Sequence, residues 1–477
     1  MNVRSMPSCI TVSLYLKSYF LLLFLLSFST VAPALRSVFS SRNLYHIQDS
    51  DLGFLDDEYD YDYINQHSRG TTIPANYLSD LLPLAMINDS VRDYVNNVVN
   101  IQYLLGDSAI LPGMIWETIT VHEESREAVS LLSQIYSKRR QDPLQPVLSD
   151  IVFKGRVEGL QATLTAASRS APSADDAMAA LHGVSVFLFD GGQGAWNVFL
   201  NVASAYVMAV LENPRFYRNY ATALQACSPK DEFIVKTTIW FDVLGSITTQ
   251  EQPRLLGAIR ELFDPGQSRI VGSSPSYSMM SPMGCENVVV WALAEASSLS
   301  CWKRANKRKG TLSHRELVHK AEEIEAHLEH QVGLPQPAPK GPEEWSRVLT
   351  SRIFRSSTKL FLQSVVNGDH PRVTEIRRSV DETFKCIMDM PPSVSDNKAA
   401  IVRSTVFGIF LCGSLTDDPA KRHLLSVHLQ QESGTDGVGN TSSVLELLRQ
   451  VWETRKRSPK SSVPWRELLK ETQILLV

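Results

Sequence analysis

Val91-Arg92-Asp93-Tyr94-Val95-Asn96-Asn97-Val98-Val99-Asn100-Ile101-Gln102-Tyr103-Leu104-Leu105 sets the fold class of this chain. Val91, Tyr94, Val95, Val98, Val99, Ile101 and Leu104 recur close to the i, i+3, i+4, i+7 pattern that gathers apolar side chains on one side of a helix. The spacing predicts a helix, and few segments alternate as half-buried strands must. Comparable periodicity recurs over residues 120–137, 147–167, 174–189, 195–211, 231–247, 285–303, 314–330, 343–367, 372–389, 395–414 and 444–455. Pro and Gly stand between these segments, as at Asp264-Pro265-Gly266 and across Leu334-Pro335-Gln336-Pro337-Ala338-Pro339, where missing N–H groups and fixed φ stop helices. The expected fold is all-α: one large multi-helix body with irregular helix packing over residues 75–477, a loop near 264–284 and a Pro-rich connection near 333–342. No short repeat identifies a named solenoid.

With 477 residues, 43% of them hydrophobic, the chain can bury a large core. Lys and Arg total 47 against 51 Asp and Glu, a net charge of -4, so no global positive field draws it to phosphate backbones. Its cysteines, Cys9, Cys227, Cys285, Cys301, Cys386 and Cys412, are scattered. Zinc sites are normally built from thiolates two to four residues apart, because a tight turn must aim both sulfurs at one ion. The closest pair here is Cys285 and Cys301, so the spacing excludes a zinc cluster within this sequence, and buried, reduced thiols are expected.

Residues 1–35 form an apolar N-terminal segment. From Ser18 to Leu35 there is no charge, Tyr19 to Leu26 is a continuous apolar run, Arg4 and Lys17 precede it and Ala32-Pro33-Ala34 follows it. It reads as a signal peptide, a marginal membrane anchor or an artefact of the gene model. Asn88-Asp89-Ser90 and Asn440-Thr441-Ser442 match the N-glycosylation triplet and are compatible with secretion. Residues 36–74 are expected to form an acidic, disordered linker. Between Asp49 and Tyr63, seven carboxylates interleave with Leu52, Phe54, Leu55, Tyr59, Tyr61 and Tyr63, uninterrupted by a basic residue. Such a stretch is either a solvated linker or an acidic-hydrophobic activation segment.

Motifs that would carry catalysis fail on spacing. Asp190-Gly191-Gly192-Gln193-Gly194 lacks the Lys-Ser/Thr of a phosphate loop and follows a helix, so a helix-to-helix turn capped by Gly is expected. His122-Glu123-Glu124 lacks a second His one turn on and reads as an exposed helix face. Cys285 in Gly284-Cys285-Glu286 has no histidine partner in sequence and reads as a core or capping residue. No catalytic, cofactor-binding or metal-binding residue is therefore assigned. Basic clusters at Lys138-Arg139-Arg140, at Lys303-Arg304 with Lys307-Arg308-Lys309, and at Arg455-Lys456-Arg457 each follow a predicted helix, where cations complement the negative end of its dipole. The second, with five charges in seven residues, is the best candidate for nuclear localisation.

Several segments, in order, carry a resemblance. Lys236 to Thr249 (KTTIWFDVLGSITT) is followed by Pro253-Arg254. Met283-Gly284-Cys285-Glu286 leads into Trp291-Ala292-Leu293-Ala294-Glu295 and ends at Trp302-Lys303. Leu360-Phe361-Leu362 is followed by Gly368-Asp369-His370-Pro371-Arg372-Val373. Leu411 to Asp418 comes next, and Val451-Trp452 through Trp465-Arg466-Glu467-Leu468-Leu469 closes the series. Over residues 75–477 the chain resembles the fungal-specific transcription factor domain, the helical regulatory region found C-terminal to binuclear zinc-cluster modules.

The resemblance implies a non-enzymatic nuclear transcription regulator. It would form a homo- or heterodimer, meet the transcription machinery through its helical body and possess room for a small-molecule effector between helices. Zinc belongs to the DNA-binding module, absent from this sequence, and DNA is reached only through that module, so sequence-specific DNA binding by this chain is expected to be weak or absent. The apolar run stands where cysteine-rich basic sequence would precede the domain. The alternatives are a gene model that begins late or reads through an intron, a regulator without its own DNA-binding part, and a membrane-tethered relative. A secreted or membrane-anchored helical protein is the rival reading. Within the same residues, Trp240, Phe241, Leu244 and Ile247 form one apolar helix face, and Val288, Trp291, Ala292, Leu299 and Trp302 line another that also carries Glu295. Burial of Glu295 or Asp242 without a partner is costly, so each is expected either in an ion pair or at a pocket.

Overall fold

The Val91–Leu105 stretch is helical, with one irregularity. In a computed structural model, α1 (Asp89–Asp93) continues through a π turn over Tyr94–Val98 into α2 (Val99–Gln102). Val91, Tyr94, Val95, Val98 and Val99 are buried. The pairs Tyr94-Val95 and Val98-Val99 repeat every four residues rather than 3.6, and the wider π turn keeps both pairs facing the core. The structure describes residues 89–477 except 108, 144, 218, 267–276, 331–338, 340, 391–397, 434–437 and 459–464. The expectations for residues 1–88 and most of the Pro-rich connection lie outside the described residues.

Everything described is helix, turn or loop, with no strand among the described residues. The first layer comprises α3 (Leu111–Val121), α4 (Glu123–Gln141), α5 (Ile151–Ser168), α6 (Ala174–Phe189), α7 (Trp196–Leu211) and α8 (Tyr220–Gln225). α4, α6 and α7 pack side by side, with α5 laid against all three. Next come α9 (Pro229–Thr249), α10 (Leu256–Phe263), α11 (Met280–Met283), α12 (Asn287–Lys309), α13 (His314–His330) and α14 (Pro342–Asn367). The chain finishes with α15 (Thr374–Met388), α16 (Lys398–Ser404), α17 (Val406–Ser414), α18 (Pro419–Ser433), α19 (Thr441–Arg457) and α20 (Trp465–Thr472).

α9 is the axis of this body. It begins on a reciprocal cap, in which Ser228 and Asp231 satisfy each other's free backbone N–H groups, with Pro229 in the first turn, where its missing N–H costs nothing. It ends at Gln250, whose φ of 59° turns the chain left-handed. Every residue from Phe233 to Thr248 is buried, because α6 and α7 cover one side while α11, α12 and α20 cover the other. A helix apolar on one stripe alone would leave a side wet; this one is surrounded.

Two expectations are corrected. The single helix at 395–414 is broken at Thr405, whose hydroxyl donates to the Ile401 carbonyl and whose backbone leaves helical geometry (φ −113°, ψ 18°), giving α16 and α17. The loop at 264–284 contains the short helix α11. Helices α3, α8, α10, α18 and α20 were not expected from periodicity; in α3, Pro112 in the first turn imitates a breaker while occupying a position that tolerates it.

The segment 473–477 leaves the helix as a tail and packs into the body, burying Ile474, Leu475 and Leu476. Its carbonyls receive Trp196 Nε1 (at Gln473, 2.7 Å), Thr248 Oγ1 (at Ile474, 2.7 Å) and Asn440 Nδ2 (at Leu475, 2.6 Å). The Leu475 N–H donates to the Gly192 carbonyl at 2.9 Å. Hydrogen bonds that would join a strand to a sheet are thus made to helix side chains and a turn, which satisfies a buried non-helical backbone.

Two predictions follow from this packing. A Cβ at Gly245 of α9 would lie 3.0 and 3.1 Å from the Trp196 ring, which is fully buried and cannot retreat. Gly245→Val should therefore cost ~2 kcal/mol of stability; an unchanged urea midpoint would contradict it. On α6, His182 is fully buried, its Nε2 lies 3.3 Å from the Tyr94 hydroxyl and its Nδ1 has no partner, so burial pushes its pKa down to about 3. The unfolded chain takes up this proton near the ordinary value of 6.5, so stability present above that pH is lost progressively as pH falls toward 3. His182→Gln should remove a loss on the order of 4 kcal/mol at the acid end of that window. Chemical unfolding of both proteins from pH 7 to pH 4 reads this as a shallower acid slope in the variant.

Candidate ligand cleft and the interactions that frame it

The carboxylates singled out in the sequence are structural. Asp242 of α9, 1% exposed, accepts the Leu255 N–H at 2.9 Å and pairs with Arg254 at 3.4 Å, so it caps the start of α10. Burial raises its pKa above the ordinary carboxylate range, against the pull of these donors. Glu295 of α12 forms a two-pronged pair with Arg260 of α10, at 2.6 and 2.9 Å. Both residues are ion-paired, one of the two arrangements the sequence left open.

The other resembling segments are cross-linked in the same way. Arg466 of α20 reaches Asp369 at 3.2 and 3.3 Å and Ser364 at 2.7 Å, while its guanidinium stacks 4.1 Å above the Trp465 ring. Its carbonyl accepts Gln250 Nε2 at 2.6 Å. Arg455 of α19, buried, donates to the Ser414 and Thr416 carbonyls and to Asp417 at 2.8 Å, and Trp452 Nε1 donates to the Gly413 carbonyl. Glu286 pairs with Arg355 of α14. Cys285 beside it is fully buried, which drives its thiol pKa well up, and the Cys412 thiol is pushed up to about 12 for the same reason. Neither is a nucleophile in the folded state. The five described cysteines carry no disulfide.

His122 is corrected from an exposed face to a cap. Its Nδ1 accepts the Ser125 N–H at 3.2 Å at the start of α4, and its Nε2 lies 3.2 Å from Asp176 of α6. A side chain with a ring nitrogen in both directions was readable as a cap only with Asp176 in view. The basic clusters divide: Arg139, Lys303, Arg304 and Arg455 turn inward, whereas Lys307, Arg308 and Lys309 stay exposed at the end of α12. Of the two glycosylation triplets, Asn440 is 3% exposed and donates its amide to the tail, so the nitrogen that would carry a glycan is consumed by the fold. Asn88 lies outside the described residues.

Asp190-Gly191-Gly192-Gln193-Gly194 is the capped turn between α6 and α7. Gly192, at φ +83°, donates to the Phe187 carbonyl at 2.7 Å, and the Asp190 carboxylate accepts the N–H groups of Val147 and Leu148 at 2.7 and 2.8 Å. This turn walls an open cleft of about 990 Å³ whose other sides are α5, α19 and the start of the tail. Leu148, Val157, Phe187, Leu445 and Ile474 supply its apolar surface; Gln161, Gln193, Gln430, Gln450 and Ser442 supply neutral donors and acceptors. The sequence did not single out this cleft, because its residues come from segments up to about 330 positions apart and meet only through packing. No group of three or more His, Cys, Asp or Glu able to hold a metal occurs among the described residues, and no described helix is long and apolar enough to cross a membrane.

The model of the fungal-specific transcription factor domain matches residues 125–477. The chain belongs to that family. The match covers α4 through the tail, so each cross-link among Asp242, Glu295, Asp369, Asp417 and their arginines lies within the fungal-specific transcription factor domain. The ustiloxin B cluster transcription factor of Aspergillus flavus is 29% identical over 207 residues, 41% of this chain and 34% of that protein. The trichothecene biosynthesis transcription regulator of Fusarium sporotrichioides is 22% identical over 296 residues, 58% and 66% of the two chains. A transcription factor of Nectria sp is 25% identical over 248 residues, 47% and 37%. The chain thus spans between about a third and two thirds of the length of these relatives. No solved structure matches it.

Removing Asp369 leaves the half-buried Arg466 without its carboxylate, so Asp369→Ala should cost ~2 kcal/mol, and Arg466→Lys, which loses the planar fork and the stack on Trp465, should cost about 1 kcal/mol. Urea unfolding of the two variants and the parent checks both; equal midpoints would refute the role given to this pair.

Proposed function

We propose that this chain is the regulatory body of a transcription regulator controlling a set of fungal biosynthetic genes. The single observation that carries the reading is the family match over residues 125–477, which coincides with a continuously packed helical unit. The printed names of its relatives, cluster and biosynthesis regulators, support the target class. On this reading residues 75–477 are the regulatory domain, the protein works in the nucleus and catalyses no reaction, and it acts by pairing with a second copy or a related chain and by meeting the transcription machinery. Zinc and DNA contact belong to a cluster module with paired thiolates, a pattern this sequence does not contain. The exposed Lys307-Arg308-Lys309 remnant at the end of α12 is the stretch of the second basic cluster left free for an import receptor. The buried amide of Asn440 takes away one of the two triplets that made the secretory alternative attractive.

Two measurements test this. Deleting the gene should silence a contiguous group of biosynthetic transcripts; an unchanged transcriptome under producing conditions would sink the reading. Antibodies against the chain should find it in nuclei and migrating identically before and after deglycosylation, whereas glycosylated material that pellets with membranes would establish the rival.

A further inference from the structure

The cleft between α5, the Asp190–Gly194 turn and α19 has a charge pattern that selects its occupant. We propose that it binds a neutral, amphipathic small molecule of a few hundred Å³ rich in hydroxyl or carbonyl groups, which rests on the regulatory reading above only for its biological use. The volume, about 990 Å³, falls at the upper end of the range of small-molecule sites. Three cations and three carboxylates line it, and they cancel: Lys154 faces Glu158 at 3.9 Å, Arg449 faces Glu446 at 3.6 Å, and Arg139 is attracted to Asp190. Asp190 is further committed to two backbone N–H groups. With no net charge on its lining, the cleft offers a charged ligand no opposite field to offset the loss of its hydration, which favours a ligand with none. Four glutamine side chains offer both a donor and an acceptor without a charge, the chemistry that pairs with hydroxyls and carbonyls. Between them Val157, Phe187 and Ile474 give an apolar floor for a hydrocarbon ring or chain.

The occupant would also touch the tail. Thr472 and Ile474 line the cleft, and the Leu475 N–H is held by the Gly192 carbonyl of the adjoining turn, whose Asp190, Gln193 and Gly194 also line it. A ligand resting on both the tail and the turn should therefore slow amide exchange at Leu475, a readout that locates binding independently of affinity.

The test uses the purified chain with two dyes of opposite character: Nile red, neutral and amphipathic, and anilinonaphthalene sulfonate, an anion. Saturable Nile red binding is expected, tighter than that of the sulfonate by about tenfold or more, with slowed exchange at Leu475. Gln161→Trp, which fills the cleft from the half-buried side of α5, should weaken Nile red by about tenfold while far-ultraviolet dichroism is unchanged. Glu158→Gln with Glu446→Gln leaves the cleft two positive charges in excess and should reverse the preference toward the sulfonate. Absence of saturable Nile red binding, equal binding by Gln161→Trp, or a preference of the parent for the sulfonate would each overturn the proposal. So would a Gln161→Trp variant that binds Nile red normally but changes its sedimentation, because the cleft would then be a protein interface. No arm of this test involves DNA or transcription, so its failure leaves the transcript result standing, and the reverse holds too.

Discussion

A helix buried on every side imposes a demand that the rest of this molecule meets at most positions, the Thr237 hydroxyl being left without a partner. Each polar side chain on α9 between Phe233 and Thr248 loses its water, and an unmade hydrogen bond there costs about 1–3 kcal/mol. Thr238 turns back onto the Ile234 carbonyl, Ser246 meets Ser297 of α12 at 2.7 Å, and Thr248 reaches the tail. Asp242 reaches out to the next helix and fixes where it starts. The polar residues of the axis thereby dictate the register of its neighbours. Apolar packing alone, tolerant of sliding by a fraction of a turn, would leave that register loose.

Arginine carries the same logic outward. Arg260, Arg355, Arg455 and Arg466 each tie two elements distant in sequence, and Arg254 ties two successive ones, using a planar group that can serve a carboxylate, a carbonyl and an aromatic face at once. Arg455 and Arg466 place their ties at helix ends and turns, where backbone carbonyls lack helical partners, while Arg260 and Glu295 join two helix faces.

Much of this was legible before any coordinates. The period of apolar residues placed α6, α7, α13 and α14 within a residue or two, and the cost of burying Asp242 and Glu295 required partners before Arg254 and Arg260 could be named. What escaped has a common cause. The π turn at Tyr94, the buried imidazole of His182 against it, the role of His122 and the packing of residues 473–477 depend on neighbours 50 to 280 positions away, and a periodic pattern reports only the nearest few. Short helices such as α8 and α10 carry too few turns for a period to emerge. The cleft is invisible for a further reason: Lys154 with Glu158 and Glu446 with Arg449 are local pairs, but a linear sequence does not show that they border the same space.

The packed tail has a consequence for how the molecule is made. Ribosomes deliver residues 473–477 after all the other described residues, yet Trp196, Thr248 and Gly192 wait for them with a donor or an acceptor unsatisfied. During synthesis the growing chain can stack α4, α6 and α7 but cannot seal the flank of α9, so an apolar surface stays open until residues 473–477 arrive. A chain cut before residue 473 would hold every described helix and still present the unsealed flank to chaperones and proteases.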